Sequence, residues 1–430
     1  MPTSSSNSWD PSLEHAVLSD VGMRRANNED AATALVADSA ERWRRRGHLF
    51  VVADGMGAHA AGEKASRMAV ESILHHFLKS TEPQPVDAMR QAVASANAEI
   101  HRSGRENPDF MQMGTTASVL ALLPGGALVA HVGDSRVYRL RGDQFEQLTF
   151  DHSLVWEMQA SGQIAEGSPL GDSFPRNVIT RSLGPSAEIL VDMEGPFPLQ
   201  EGDVFLLCSD GLTGQVADEE IGILLGSLPP ARAVRVLVDL ANLRGGPDNI
   251  TAIVSKITGP TIIGPAPPLT VRREPLSAPL LATTAICGLC SLGFAITQNW
   301  PLAVITGVMA AVALGVAFFH QARPPRPRSS QPVANAKRGA APYRRFTCRP
   351  DEAMVKRLCN TVNALRATAN EKQWTMQWQR VEQLEADSRR AAENSSWREA
   401  VRLEAEAVIE TMNQLREQHR RQASDSTVDY

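Results

Sequence analysis

The chain has 430 residues, enough for one large folded domain and additional segments. Its formal net charge of -5 does not provide the basic surface that holds nucleic acid, so we expect no nucleic-acid partner. The five cysteines are an odd number without paired metal-ligand spacing, which argues against a disulfide framework and indicates a reducing compartment.

The N-terminal half has the pattern of a folded α+β domain. Residues 1–12 are rich in Ser and Asn and predict a disordered lead-in, whereas residues 13–258 alternate short apolar runs with longer amphipathic stretches. The turn at Pro124–Gly126 predicts antiparallel neighbours. The predicted strands are Leu49–Ala53, Ala117–Leu122, Ala127–Val132, Val137–Leu140, Val204–Cys208 and Ile250–Ile257. The predicted helices are Gly62–Leu78, Val86–His101 and Ala231–Leu243.

Three aspartates stand at the edges of strand-like apolar runs. Asp54 and Asp210 each end a run and precede a glycine, and Asp248 comes just before another run. A carboxylate buried beside a core strand is unfavourable unless something neutralises it, and a shared divalent cation would do so. Oxygen ligands suit Mg²⁺ and Mn²⁺, and no Cys/His cluster competes for zinc. A single Asp-Gly pair is more often a turn, so the prediction depends on all three aspartates together.

Two further polar segments belong to the same pattern. Arg25 lies four residues before Glu29, which is followed directly by Asp30. A guanidinium is suited to binding a phosphate through two hydrogen bonds. Asp134 lies in a sharp turn between two predicted strands. Taken alone, each of these segments also fits an ordinary surface turn.

In combination these segments resemble the metal-dependent serine/threonine protein phosphatases of type 2C, in their bacterial form. Ala58 stands where the bacterial pattern usually has Gly, a departure that removes no metal ligand. The matching pieces follow the family order: Asn28–Ala31, Ala53–Gly57, Gly62–Glu63, Met113–Ala117, Val132–Arg136, Leu148–Ser153, Ile179–Gly184, Cys208–Leu212 and Pro247–Asn249.

The resemblance implies an α+β fold, a four-layer α-β-β-α sandwich of two antiparallel sheets with flanking helices, and two or three Mn²⁺ or Mg²⁺ ions at one end. Asp54 would bridge two metals and the Gly55 carbonyl would ligate the second. Asp210 and Asp248 would complete the first metal site, and Asp134 together with Asp210 would hold a third ion.

The resemblance also assigns the residues that handle substrate. Glu29 and Asp30 would support metal-bound water, and Arg25 would bind the substrate phosphate. The implied activity is hydrolysis of phosphoserine and phosphothreonine in proteins by in-line attack of a metal-activated water. The leaving oxygen could take its proton from His59 or from water on the metal, and residues 162–177 match the family's variable flap.

Three functional hypotheses are open on the sequence alone. In the first, the chain is an active phosphatase whose partners are phosphorylated proteins, including a Ser/Thr kinase and its targets. In the second, it is a silent phosphoprotein-binding module, which the loss of Asp54, Asp210 or Asp248 would favour, yet none is lost. In the third, the enzyme acts on a small regulatory protein in a partner-switching pathway.

The middle of the chain predicts attachment to a membrane. Residues 259–275 form a Pro-rich linker, and residues 276–319 contain two uncharged apolar runs, each close to the ~20 residues that cross a bilayer. A pair of buried core helices is the alternative. Arginines precede the first run and follow the second. The positive-inside rule therefore predicts a multi-pass protein of the cell membrane with the phosphatase domain and the C-terminal tail in the cytoplasm.

The last part of the chain predicts helices. Residues 320–350 are rich in Pro, Ser and Arg and predict a flexible basic linker, either in contact with anionic lipid or solvated. Residues 351–422 have apolar side chains at three- and four-residue spacing, which predicts a helical hairpin or a short coiled coil in which Trp374 and Trp378 pack. This stripe suggests self-association or docking of a partner. Residues 423–430 predict a disordered tail.

Overall fold

The computed structural model describes residues 9, 12–57, 61–165, 178–260, 289–302, 304–306, 308–309 and 340–426. The strands are β1 Leu13–Asp20, β2 Asp30–Leu35, β3 His48–Met56, β4 Gly114–Thr115, β5 Ala117–Leu123, β6 Gly126–Val132, β7 Arg136–Arg141, β8 Gln144–Gln147, β9 Asp192–Phe197, β10 Val204–Cys208, β11 Ile250–Ile257 and β12 Arg344–Thr347. The helices are α1 Ala40–Arg46, α2 Ala61–Lys79, α3 Pro85–Glu106, α4 Leu154–Ala160, α5 Asp210–Thr213, α6 Asp218–Ser227, α7 Pro230–Leu243, α8 Glu352–Glu371, α9 Gln379–Glu393 and α10 Trp397–Ser426.

Residues Met1–Pro265 and Lys337–Tyr430 form one compact unit, and Ala266–Ala336 form another. In the described part of the first unit, the strands form two antiparallel sheets. One has the order β1-β11-β10-β7-β8-β12, and the other has the order β2-β3-β5-β6-β9, with β4 paired to β3. The predicted α+β fold with two antiparallel sheets is therefore confirmed.

Alternation along β3 explains how the two sheets stack. Leu49, Val51 and Ala53 pack with α2 and α3 on the outer face of their sheet. Phe50 and Val52 point the other way and pack between the sheets with residues of β10 and β11. Helices α6 and α7 cover the outer face of the first sheet, so each sheet has helices on its outer side.

The predicted strands and helices between residues 49 and 257 all exist, with ends that differ by a few residues. The sequence patterns did not predict β1, β2, β8 and β9. Among the described strands, β1, β2 and β9 lie at sheet edges, where only part of the surface is buried and the apolar pattern is weak. In addition, β2 is rich in alanine, which is depleted in strands.

The end of the predicted basic linker is instead part of a sheet. Within residues 320–350, β12 pairs antiparallel with β8, with Arg344 opposite Gln147 and Thr347 opposite Gln144. The ring of its Phe346 lies 6.4 Å from the ring of Phe145, measured between centroids. The flexible linker prediction is therefore wrong for this stretch, because the open edge of β8 accepts another strand. Residues 320–339 lie outside the described residues.

The C-terminal segment is a layer on the same unit rather than a free hairpin. Leu358 and Val362 of α8 and Val408 of α10 are buried in one core with Leu224 of α6 and Leu237 of α7. Helix α9 adds Val381 and Leu384 to the same core. The stripe that suggested self-association is thus covered within the chain, which corrects that prediction. An amphipathic pattern predicts that a face is buried and does not say what covers it.

The predicted packing role of the tail's tryptophans agrees with the structure. Trp378 is partly buried against the core beneath α8 to α10, and Arg366 lies over its ring at 5.0 Å from the centroid. Trp374 contacts His419 edge to face, with 5.9 Å between ring centroids. Neither ring lies near the acidic residues singled out above.

Much of the predicted membrane hairpin lies outside the described residues, namely 276–288, 303, 307 and 310–319. Within the residues that are described, no helix has both the length and the apolar character needed to span a bilayer. The described positions between 289 and 309 expose large apolar side chains, among them Leu292, Ile296, Trp300 and Ile305. Residues 1–8, 10–11, 261–275 and 427–430, which cover the predicted lead-in, most of the first linker and the end of the tail, are also outside the described part.

Candidate metal and phosphate site

The acidic residues meet at one end of the sandwich because of strand pairing. Asp30 begins β2 and lies directly opposite Asp54 of β3. Asp210 follows β10, and Asp248 precedes β11. Since β10 and β11 are antiparallel neighbours, the end of one and the start of the other share an edge of the sheet. Asp134 lies in the turn between β6 and β7.

The backbone on either side of Asp54 is fixed by two threonines. Thr116 Oγ1 accepts a hydrogen bond from the Asp54 N–H at 2.9 Å, and the Thr116 N–H donates to the Asp54 carbonyl at 2.9 Å. Thr115 Oγ1 donates to the same carbonyl at 2.9 Å. Thr116 Oγ1 is also 2.7 Å from Ser135 Oγ, next to Asp134. The backbone from which the Asp54 carboxylate projects is thus held in place.

Desolvation and like charges together disfavour ionised carboxylates at this end of the sandwich. Desolvation by the surrounding protein, followed by the charges of Asp30, Asp210 and Asp134, raises the pKa of Asp54 well above its ordinary value. Desolvation first and then Asp248 raise the pKa of Asp210, whose carboxyl group lies within hydrogen-bonding reach of Asp54. The structure therefore brings together the aspartates that the sequence singled out.

Asp30 and Asp134 each keep one carboxylate oxygen without a partner. Desolvation raises the pKa of Asp30 to about 7, and Ser209 Oγ donates to its Oδ2 at 2.7 Å, while its Oδ1 has no hydrogen-bond partner. Desolvation, followed by the charge of Asp210, raises the pKa of Asp134 to about 8, and its Oδ1 is also unpartnered. Buried carboxylate oxygens without donors are suited to binding a cation.

Arg25 lies at the solvent side of this acidic group. Its Nη2 is 2.8 Å from Asp248 Oδ2, and the two side chains are 48% and 36% exposed. An ion pair this exposed contributes little to stability, so the guanidinium can exchange its carboxylate for a phosphate at small cost. Desolvation raises the pKa of the neighbouring Glu29, and its side chain lies so close to Gly62 that an added Cβ there would be 2.9 Å from Glu29 Cδ.

Asn249 joins the loop of Arg25 to β11. Its Nδ2 donates to the carbonyls of Val21 and Asn27 at 2.9 Å each, and its Oδ1 accepts from the Glu29 N–H at 2.8 Å. The two loops approach closely at Gly22, where φ is +82° and an added Cβ would lie 2.2 Å from the Asp248 carbonyl oxygen. The positions of Arg25 and Asp248 are therefore set together.

The donor set fits hard cations. Carboxylate oxygens that repel one another, two of them unpartnered, match the ligands of Mn²⁺ and Mg²⁺. Among the described residues, no three acidic, imidazole or thiol groups surround a common point closely enough to hold an ion as they stand. The Asp210 carboxyl group lies within hydrogen-bonding reach of Asp54, and the Asp248 carboxylate pairs with Arg25.

Sequence reasoning missed the residues that position this group. Ser209, Thr116 and Asn249 lie within the family motifs but received no role, because each acts on a residue far away in the sequence. His59 and most of the flap, residues 166–177, lie outside the described residues, so the proton donor and the flap stay predictions. Gly55 pairs with Thr115 across β3 and β4.

The chain is similar to several known protein phosphatases. A family model described as Protein phosphatase 2C matches residues 24–237. Protein phosphatase PhpP of Streptococcus pneumoniae is 39% identical over 253 residues, which is 56% of this chain and 97% of that protein. The S. agalactiae serine/threonine phosphatase structure matches with a TM-score of 0.51 and 33% identity, covering 57% of this chain and 99% of that one. The Mycobacterium tuberculosis phosphatase PstP/Ppp matches with a TM-score of 0.50 and 33% identity, covering 57% and 99%.

Proposed function

Since the chain belongs to the protein phosphatase 2C family and is a serine/threonine protein phosphatase, we propose that it removes phosphate from phosphoserine and phosphothreonine in proteins at the cytoplasmic face of a membrane. The observation that carries the catalytic part is the group of mutually repelling aspartates around Asp54, with the exposed guanidinium of Arg25 beside it.

As in other members of the family, the cofactor is Mn²⁺ or Mg²⁺. We propose that Asp54, the Gly55 carbonyl, Asp210, Asp248 and Asp134 hold the ions, with Glu29 and Asp30 orienting nearby water. When bound, such ions make water a better nucleophile and offset charge on the phosphoryl oxygens.

The protein's own contribution is orientation. Arg25 holds the substrate phosphate through two parallel N–H donors, and Thr115 and Thr116 keep the Asp54 backbone in place. Ser209 donates to Asp30 and so fixes the direction of its free oxygen. Positioned groups of this kind lower the barrier because little reorganisation is needed at the moment of reaction.

The test is hydrolysis of a phosphothreonine peptide by the full chain with Mn²⁺ and with excess chelator. We expect metal-dependent release of phosphate that Asp54→Asn abolishes. Asp38→Asn, at an exposed carboxylate that pairs with Arg42 and is not among the proposed ligands, serves as the matched control and should keep activity. Metal-independent activity, or an active Asp54→Asn enzyme, would contradict the proposal.

We propose that the two apolar runs within residues 276–319 form a transmembrane hairpin with both flanks in the cytoplasm. Support comes from the absence of charge in both runs, the arginines on either side, and the exposed Leu292, Trp300 and Ile305 in the described part. The full chain should stay with carbonate-washed membranes, and a variant lacking residues 276–319 should not. Recovery of the full chain in the soluble fraction would disprove membrane attachment.

For substrates, we propose a Ser/Thr kinase and its targets, with a small regulatory phosphoprotein as the alternative that the sequence leaves open. Quantitative phosphoproteomics of a deletion strain separates the two. An increase confined to one small protein would favour the regulatory alternative, and an increase over kinase targets would favour the first.

A further inference from the structure

An arginine of the C-terminal layer reaches the back of the phosphate-binding loop. Arg416 of α10 has its Nη2 2.8 Å from Asp239 Oδ1 and 3.4 Å from Asp20 Oδ2. The side chain of Asp239 is fully buried, whereas Arg416 is 26% exposed. Arg416 therefore joins α10 to both α7 and the end of β1.

Asp20 uses its two carboxylate oxygens in different directions. Its Oδ2 faces Arg416, and its Oδ1 accepts from the Gly22 N–H at 2.9 Å and from Asn242 Nδ2 at 3.1 Å. This side chain thus shapes the turn that follows β1 and ties it to the end of α7. The turn is the one that carries Arg25.

The turn after β1 is interlocked with the loop that carries Asp248. The Met23 N–H donates to the Gly246 carbonyl at 2.8 Å, and an added Cβ on Gly22 would lie 2.2 Å from the Asp248 carbonyl oxygen. Arg25 then meets Asp248 at 2.8 Å. We expect a shift of the turn to move Arg25, because the turn is hydrogen-bonded to the Asp248 loop and approaches it closely at Gly22.

We infer that Arg416 is a positioning residue for substrate binding: it holds the Asp20 turn, and through it Arg25, in the orientation that receives phosphate. This inference rests on the proposed function, in which Arg25 binds the substrate phosphate. It gives the C-terminal layer a role in the reaction, although that layer contributes no group to the acidic site.

The kinetic test uses the full chain with Mn²⁺ and a phosphothreonine peptide. Arg416→Gln should raise KM about 3–10-fold and leave kcat nearly unchanged, because a looser Arg25 weakens binding of substrate and transition state alike. Arg416→Lys keeps the charge opposite Asp20 and Asp239 and should restore part of the affinity. An unchanged KM in Arg416→Gln would overturn the inference.

The matched control is Glu406→Gln, which breaks another contact between the same two helices. Glu406 Oε1 lies 3.2 Å from Arg232 Nε, and the pair has no described contact with the turn after β1. Glu406→Gln should keep the wild-type KM. If it raised KM as much as Arg416→Gln does, the effect would belong to helix packing in general, and the assignment to Arg416 would be wrong.

A double variant separates positioning from a general structural effect. If Arg416 acts through Arg25, then Arg416→Gln should raise KM no further once Arg25→Gln is present. Independent, multiplying effects of the two changes would contradict the inference.

Amide hydrogen exchange provides a readout that needs no catalysis. In Arg416→Gln the amides of residues 21–25 should exchange faster than in wild type, and in Glu406→Gln they should not. Equal exchange in all three proteins would overturn the inference even if the wild type failed to hydrolyse the peptide, a result that would by itself contradict only the proposed function.

Discussion

Strand β10 has an aspartate at each end, and the two have opposite surroundings. Asp203, just before the strand, is fully buried and accepts from Arg141 Nε and Nη2 at 2.7 Å each. It also accepts from the Gln200 N–H at 2.8 Å. Asp210, just after the strand, instead faces Asp54 and Asp248. One carboxylate is neutralised by the chain itself, and the other is left for a cation.

This difference distinguishes a structural acid from a functional one. Both residues are Asp beside the same apolar strand, although Asp203 is buried and Asp210 is only partly buried. What separates them is whether the neighbouring charges are opposite or alike. At the functional end, repulsion between carboxylates lowers the stability of the folded state. Favourable contacts elsewhere in the domain must compensate for this loss.

The largest expected effect comes from removing the unneutralised charge. Asp210→Asn should lower phosphatase activity about 10³-fold or more, because it removes one of the proposed metal ligands. In chelator the same variant should melt above wild type, by about 2–4 °C for each kcal/mol of repulsion removed. Thermal unfolding by circular dichroism with and without Mn²⁺ measures both states. A metal-free variant that melts below wild type would show that Asp210 is not under repulsion.

The change at the other end of β10 should have the opposite outcome. Asp203→Asn weakens the contact with Arg141 and should destabilise the fold by about 2–3 kcal/mol, less than for a fully buried ion pair because Arg141 is 30% exposed. Activity per folded molecule should stay at the wild-type level. Urea unfolding tests the expected loss of stability, and phosphopeptide hydrolysis at low temperature tests the expected activity. A loss of activity without a loss of stability would show that Asp203, like Asp210, has a functional role.

The acids of the site could be predicted from sequence because each stands at a strand edge in a local motif. Asp54, Asp210 and Asp248 satisfied that condition, and the fold brought them together. Asn249 and Thr116 were not assigned, because each acts by holding backbone more than twenty residues away, as with Asn249 and Val21. Such roles depend on tertiary contacts that no local pattern contains.

The C-terminal layer shows the corresponding limit for the fold. The spacing of Leu358, Val362 and Val408 correctly predicted helices with an apolar face. It could not predict that α6 and α7 would cover this face, because a partner, a second copy or the same chain would require the same pattern. Strand β12 was hidden for a related reason, since four residues in a basic, Pro-rich context carry almost no strand signal.

The C-terminal layer should help to stabilise the repelling end. Leu358→Ala removes a fully buried side chain from the core shared with α6 and α7 and should cost about 2–5 kcal/mol. The midpoint of thermal unfolding, measured by circular dichroism, and the midpoint for loss of activity on heating should shift together to lower temperature, since layer and sandwich form one unit. The half-buried Leu365→Ala is the control and should shift both less. An unchanged midpoint for loss of activity would mean that the layer unfolds separately.

Glu404 of α10 tests whether repulsion alone marks a functional site. Its side chain lies in the C-terminal layer and is only 2% exposed. Desolvation, and to a smaller extent the charge of Glu385, raises the pKa of Glu404 to about 7. Ionisation is therefore disfavoured in the folded state. Stability should fall as pH rises from about 4.5, where the unfolded chain ionises, to about 7, and should level off above that.

Glu404→Gln should remove this decline and be more stable than wild type by about 2–3 kcal/mol at pH 8, with little difference at pH 4.5. Urea unfolding at several pH values measures it, with the exposed Glu393→Gln as control. Parallel pH profiles for Glu404→Gln and wild type would contradict the expectation. Because Glu404 lies on α10, which carries neither Arg25 nor any of the proposed metal ligands, activity should not change. A raised pKa then identifies a site only where several carboxylates share the repulsion and solvent can reach them.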